Sequence, residues 1–280
     1  MSYTVGIVGK GFVGGAMYEN FKDVFRVLVW DVDVNKRLNV ESFEDFVNRS
    51  DIIFVCVPTP MKEDGACDTQ IVTSVIGEIS QVDRRKYVVI KSTVPPGTTE
   101  RLANDLGMTI AFNPEFLTEA NAYNDFRHQP LIIVGSDDVG ISAIVCQIYY
   151  EFNSKVDNVA HVVQRTTKEA ELFKYLANCF LATKVTFANE FKALCDKIDV
   201  DYGRIAEVAV LDKRLGPTHW RVPGPDGKLG FGGSCFPKDS SALLHFCEEH
   251  GINLWLLTEA VYINDDLRED NSFNKLRVVL

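Results

Sequence analysis

Six residues near the start of the chain, Gly9-Lys10-Gly11-Phe12-Val13-Gly14, limit what it can fold into more than any other feature. They follow the apolar run 5–8 without a gap. Glycines at the first, third and sixth places allow a tight turn, a close approach to the backbone, and close packing of a helix against a strand. A β-strand is therefore expected before the turn and an α-helix after it. A helix opening there presents unbonded N–H groups and the positive end of its dipole, a setting that suits phosphate. Glycine-rich turns are common, however, and the pattern decides little by itself.

Its surroundings decide more. A second apolar run, 27–30, ends at Asp31, near the distance where an acidic side chain meets an adenosine ribose. A carboxylate there accepts hydrogen bonds from ribose hydroxyls and repels a 2′-phosphate, which favours NAD over NADP. Further runs at 52–57, 87–90 and 131–134 are rich in Val, Ile, Leu and aromatics, as parallel strands buried on both faces require. Helical stretches lie between several of them. The alternation predicts an α/β, Rossmann-like, doubly wound parallel sheet over residues 1–165.

The pattern then changes. From Lys168 to Lys197 there is no Gly or Pro, and Phe173, Leu176, Ala177, Phe180, Phe187, Phe191 and Leu194 recur at helical spacing. This predicts one long amphipathic helix leading into an all-helical domain over residues 166–280. Further helices are expected near 202–211, 240–249 and 256–268, with a loop crowded with Gly and Pro over 216–233.

The balance of 39 acidic against 29 basic residues, a formal charge of −10, argues against binding nucleic acid or an anionic membrane. With no apolar leader and no run of bilayer length, the expected location is cytoplasmic. The seven cysteines are odd in number, scattered and without a Cys-x-x-Cys pair, so reduced thiols are expected. The five histidines lack ligand spacing, and no metal site is expected.

Four segments carry the chemistry. Pro58-Thr59-Pro60 follows the third run, Lys91-Ser92-Thr93-Val94-Pro95-Pro96-Gly97-Thr98-Thr99 the fourth, and Asn113-Pro114-Glu115-Phe116-Leu117-Thr118-Glu119 comes next. Ligands bind open α/β sheets beyond the carboxyl ends of strands such as these. The fourth segment is Gly230-Phe231-Gly232-Gly233-Ser234-Cys235-Phe236-Pro237-Lys238-Asp239. There Cys235 follows a glycine-rich loop at the expected start of a helix. The helix N-terminus and a nearby lysine both favour a nucleophilic thiolate.

Together these segments, spread from Val5 to about Asn264, resemble the nucleotide-sugar dehydrogenase family, which includes UDP-glucose and GDP-mannose dehydrogenases. The run ending at Asp239 is most similar to the UDP-glucose branch. The resemblance implies oxidation of a sugar alcohol to a carboxylate by two hydride transfers to NAD, giving UDP-glucuronate for polysaccharide biosynthesis. Cys235 would carry a thiohemiacetal and then a thioester. Lys174 and Asn178, one turn apart on the long helix, match the family's pair on the oxyanion side, while Glu115, Thr93 and Asp239 would hold water and move protons. Gly9, Gly11, Phe12, Val13, Gly14, Asp31, Lys36, Thr59, Thr93, Glu119 and Lys238 would meet NAD. Glu115, Phe116, Leu117, Thr118, Glu119, Lys174 and Asn178 would line the sugar nucleotide, joined by Arg214, His219, Arg221, Phe231 and Gly232.

The chain also departs from that pattern. His219 stands where the family has Tyr or Phe against the base, with Trp220 as a possible substitute, and the segment after Arg221 is longer than usual. The family's third, C-terminal domain is not expected in a chain that reaches only Leu280. A homodimer through the long helix is expected, with Arg214 completing the neighbour's site. Three alternatives stay open: a sister enzyme acting on GDP-mannose or another nucleotide sugar, a catalytically silent NAD- or nucleotide-binding protein, and a single-step hydroxyacid dehydrogenase without a nucleophilic cysteine.

Overall fold

The computed structural model describes residues 3–270. They form two compact units, one taking in residues up to 60 and 68–174, the other 61–67 and the residues from 175 onward.

The first unit runs β1 (Thr4–Val8), α1 (Phe12–Phe21), β2 (Arg26–Trp30), α2 (Phe43–Arg49), β3 (Ile52–Val55), α3 (Gln70–Val82) and β4 (Tyr87–Ile90). It continues with α4 (Thr98–Leu106), β5 (Ile110–Phe112), α5 (Ala122–Arg127), β6 (Leu131–Gly135), α6 (Val139–Val156) and β7 (His161–Arg165). The strands make one seven-stranded sheet in the order β2-β1-β3-β4-β5-β6-β7. All neighbours are parallel except β5 and β6, which meet antiparallel at Phe112 and Gly135.

Successive strand side chains point to opposite faces, and this divides the core in two. Val5 and Ile7 of β1, Ile52 and Phe54 of β3 and Val89 of β4 join one cluster, with α1, α5 and α6. Val8, Ile53, Val55, Val88 and Ile90 join the other, with α2, α3 and α4. All four residues of β3 are 0% exposed, which is why a continuous apolar run marks a central parallel strand. The run expected at 52–57 stops at Val55. Cys56 still donates to the Val8 carbonyl at 2.8 Å, and the chain then leaves the sheet ahead of Pro58, which has no N–H to give.

A single helix, α7 (Thr167–Lys197), begins in the first unit and continues in the second, so the division falls inside it, at Lys174. The second unit adds α8 (Tyr202–Ala209), α9 (Phe236–Glu249) and α10 (Trp255–Asp270). No helix or strand interrupts the segment between α8 and α9. Helix α9 starts four residues before the expected Ser240 because Pro237 fits a first turn, where its missing N–H leaves nothing unpaired. Tyr175, Cys179, Ala242, Leu243, Cys247 and Leu257 form one small core with Cys67 from the loop 61–67. Ala188, Cys195 and Tyr202 form another, against Trp220 and Val222.

The apolar stripe read from the sequence of α7 is not its buried side. Leu176 is 61%, Phe180 64% and Phe187 53% exposed, while Glu171, Lys174, Tyr175, Asn178 and Cys179 are buried. Among the described residues, no helix is long and apolar enough to cross a membrane.

Candidate functional site

Candidate residues lie in both units and are described unit by unit. In the first, the chain turns from β1 into α1 at Gly9, whose φ of 88° suits glycine. A Cβ on Gly14 would lie 1.9 Å from the Gly9 carbonyl oxygen, so the helix can sit this close to the turn only without a side chain there. No side chain caps the N-terminus of α1, which leaves its first N–H groups for a ligand. At the end of β2 the Asp31 carboxylate is 8% exposed and fixed by backbone donors, Lys10 N–H at 2.6 Å and Asp33 N–H at 2.9 Å. The Arg37 guanidinium lies 3.7 Å from the centre of the Trp30 ring, with Nε donating to the Asp31 carbonyl at 2.8 Å. Turn, bare helix end and carboxylate fit the pyrophosphate and ribose of a dinucleotide. Lys36 closes an exposed 3-10 turn, Val34–Lys36.

The loops after β3, β4 and β5 hold the next group. Thr59 and Thr93 are buried. Lys174 donates to the Glu115 carbonyl at 2.6 Å and to its Oε1 at 2.9 Å, while Oε2 takes the Leu117 N–H at 2.7 Å. Burial alone would push the Glu115 carboxyl up. Lys174, the Leu117 N–H and Lys91 together outweigh it and hold the group below its ordinary range. Phe116 packs edge-on against Phe173 at 5.9 Å. Thr118 turns away from this group, its N–H donating to Asp125 at 2.8 Å and its hydroxyl to the same oxygen. Glu119 is exposed.

Glu171 lies one turn ahead of Lys174 and was not foreseen as a site residue. It is 0% exposed and accepts the Gly97 and Thr99 N–H groups at 2.6 and 2.8 Å, closing the start of α4. Burial raises its pKa despite these donors. The first turns of α7 thus fix two loops, through Glu171 the one carrying Thr93 and through Lys174 the one carrying Glu115.

In the second unit Cys235 is the N-cap of α9, half-buried, with its carbonyl accepting the Asp239 N–H at 2.8 Å. No disulfide joins any of the seven cysteines. Asp239 is 1% exposed, and its two oxygens take Asn178 Nδ2 at 2.6 Å and Lys238 Nζ at 2.5 Å. His219 meets Phe236 at 5.5 Å, and Phe236 meets Phe231 at 6.3 Å. Burial and the nearby Lys184 lower the His219 pKa. Trp220 is committed elsewhere, its indole donating to the Gly216 carbonyl at 2.9 Å under the Lys184 ammonium. Arg214 is exposed and paired with Asp212 at 2.6 Å, and Arg221 is exposed. Among the described residues, no three His, Cys, Asp or Glu converge as a metal site.

Residues 26–153 match the NAD binding domain of the UDP-glucose/GDP-mannose dehydrogenase family, and residues 168–266 match its central domain. A solved UDP-glucose dehydrogenase from the hyperthermophilic archaeon Pyrobaculum islandicum is similar at a TM-score of 0.84 and 31% identity, over 95% of this chain and 68% of that one. The chain belongs to the UDP-glucose/GDP-mannose dehydrogenase family. The UDP-glucose 6-dehydrogenase YwqF of Bacillus subtilis is 34% identical over 253 residues, 86% of this chain and 55% of its own length. The UDP-glucose 6-dehydrogenase of Rickettsia prowazekii is 34% identical over 270 residues, 94% of this chain and 60% of its own. The chain thus spans between half and two thirds of the length of these two family members. The glycine turn at 9–14 lies ahead of the matched span, and the structure supplies it directly.

Proposed function

We propose that this chain oxidises the primary alcohol of UDP-glucose to a carboxylate in two NAD-dependent steps, through a thioester on Cys235. The observation that carries the reading is Cys235 at the N-terminus of α9, one turn ahead of a buried Asp239 that holds Asn178. A helix N-terminus favours the thiolate over the thiol.

NAD, when bound at the glycine turn, supplies the hydride acceptor. The alcohol first loses a hydride, and its hydroxyl proton passes to solvent through the water assigned to Asp239, giving an aldehyde. The Cys235 thiolate then adds to the aldehyde carbon, and stabilising the resulting alkoxide is assigned to the Lys174 ammonium and the Asn178 amide, one turn apart on α7. Loss of a second hydride from that carbon restores the C=O as a thioester. Water then attacks with Glu115 taking one proton, the C–S bond breaks to release the thiolate, and the carboxylic acid so formed gives its remaining proton to solvent. Glu115 is given this role as a buried carboxylate placed beside Lys174. The exposed stripe of α7 is assigned to a second copy of the chain, with Arg214 reaching the neighbour's site.

The test counts NADH per UDP-glucose consumed. About two are expected for a four-electron oxidation, and Cys235→Ser is expected to stop carboxylate formation while NAD binding persists. Full carboxylate formation by Cys235→Ser would remove the covalent route. No NADH from a chain that binds NAD would point to another nucleotide sugar or to a binding role.

A further inference from the structure

The glycine-rich loop ahead of Cys235 is held by side chains that the reaction does not use. Asn189 on α7 accepts the Gly230 N–H at 3.0 Å, and Asn264 on α10 accepts the Phe231 N–H at 2.6 Å. Both loop residues are buried, so their amides depend on these two side chains for a partner. One turn along α10, the Arg268 guanidinium lies against the loop at Gly232. A Cβ on Gly232 would fall 2.2 Å from its Nη2 and 2.7 Å from its Cζ. The guanidinium is also tied to the segment before the loop, where Nη1 donates to Asp226 at 2.8 Å and to the Leu229 carbonyl at 3.4 Å. Asp226 belongs to the segment that follows Arg221, which closes on itself through Gly224 N–H to Lys228 O at 2.8 Å. One carboxylate oxygen of Asp226 serves that turn through the Lys228 N–H at 3.1 Å, and the other serves Arg268.

The loop is coupled to the thiol by packing. Phe231, 3% exposed, meets Phe236 edge-on, and Phe236 is the first residue of α9, next to Cys235. A shift of Phe231 therefore moves the start of that helix. We infer that Asn264 and Arg268 are positioning residues, which fix the Gly230–Gly233 loop and, through Phe231 and Phe236, aim Cys235. The inference rests on Cys235 being the nucleophile.

The test uses the full chain with Arg268→Ala, Arg268→Lys, Asp226→Asn and Asn264→Ala. Three quantities are read: amide hydrogen exchange over residues 229–236, the rate at which iodoacetamide alkylates Cys235, and kcat and KM with UDP-glucose and NAD. Arg268→Ala is expected to speed exchange at Gly230 and Phe231 about tenfold. It is also expected to change Cys235 alkylation severalfold and to lower kcat while KM for NAD stays fixed. Arg268→Lys should recover part of each change, and Asp226→Asn should show a weaker form of all three. Asn264 is the most buried of these side chains, so if Asn264→Ala fails to fold the other variants carry the test. Folded Arg268→Ala with unchanged exchange and unchanged alkylation overturns the inference. Failure of the Cys235 reading looks different: Cys235→Ser keeps turnover, while exchange and alkylation still report on the clamp.

Discussion

Lys91 shows what a single buried charge does in this protein. It is 2% exposed, and its ammonium donates to Asn113 Oδ1 at 2.8 Å, the Asn113 carbonyl at 3.2 Å and Tyr149 Oη at 3.3 Å. Burial draws its pKa down to about 8 from 10.5. Cys56 and Glu115 oppose that fall, and Lys174 adds to it. The folded chain therefore releases this proton before the unfolded chain does. Between about pH 8 and 10.5 the unfolded state binds more protons, and stability gained from Lys91 rises with pH. Lys91→Met lacks this term. Urea unfolding across that window should show the parent gaining on the variant, by on the order of 3 kcal/mol at the top. A difference that stays flat with pH would mean that the ammonium is not destabilised by its surroundings. Asn113, which lies two residues before Glu115, holds Lys91 on one side and the Ile133 carbonyl at 2.7 Å on the other. The buried lysine thus belongs to the support of the Glu115 loop.

At the scale of elements, α7 buries polar residues such as Glu171, Lys174, Asn178 and Asn189 together with small and aromatic ones, and leaves an apolar stripe exposed. Each aromatic ring removed from water contributes about 1.5–3 kcal/mol, so covering Phe180 and Phe187 would contribute strongly to self-association. The double change Phe180→Glu with Phe187→Glu should raise a dimer's Kd at least a hundredfold, with helical content unchanged. Sedimentation of parent and variant over a range of concentrations checks this, and a parent that is monomeric throughout removes the dimer. Legibility in the sequence differed between elements for physical reasons. Strands β1 to β4 and β6 announce themselves because both faces are buried and the runs are continuous. Strand β5, Ile110–Phe112, is too short for any period to show, and the edge strand β7 carries His161, Gln164 and Arg165 on exposed positions. At the site, Glu115, Lys174, Asn178, Asp239 and Cys235 stand in recognisable motifs. Glu171, Asn264 and Arg268 do not, since what they hold comes from partners distant in the chain, such as Gly97 for Glu171 and Asp226 for Arg268.

For the molecule as a whole, ligand binding appears as stability. A ligand present at a hundred times its Kd stabilises the folded state by about 2.7 kcal/mol. For a chain of this size that amounts to several degrees in Tm. NAD should produce this shift and NADP should not, because the Asp31 carboxylate would face the 2′-phosphate, and Arg37 has its Nε bound to the Asp31 carbonyl. Equal shifts with both cofactors would mean that Arg37 leaves Trp30 to meet the phosphate. The measurement needs no turnover, so it separates cofactor binding from chemistry. The continuity of α7 has a last consequence, for which changes of length this protein can accept. Each residue turns a helix by about 100°. One residue inserted between Asn178 and Asn189 would put these two side chains out of phase, so that the bond of Asn178 to Asp239 and that of Asn189 to the Gly230 N–H could not both be kept. The segment after Arg221 keeps no helical phase: its Gly224–Lys228 turn closes locally, and its tie to α10 runs through Asp226 to Arg268. Sequence drift in such a protein can lengthen the segment after Arg221 wherever Asp226 stays on Arg268, while this stretch of the helix behaves as a ruler whose length is fixed.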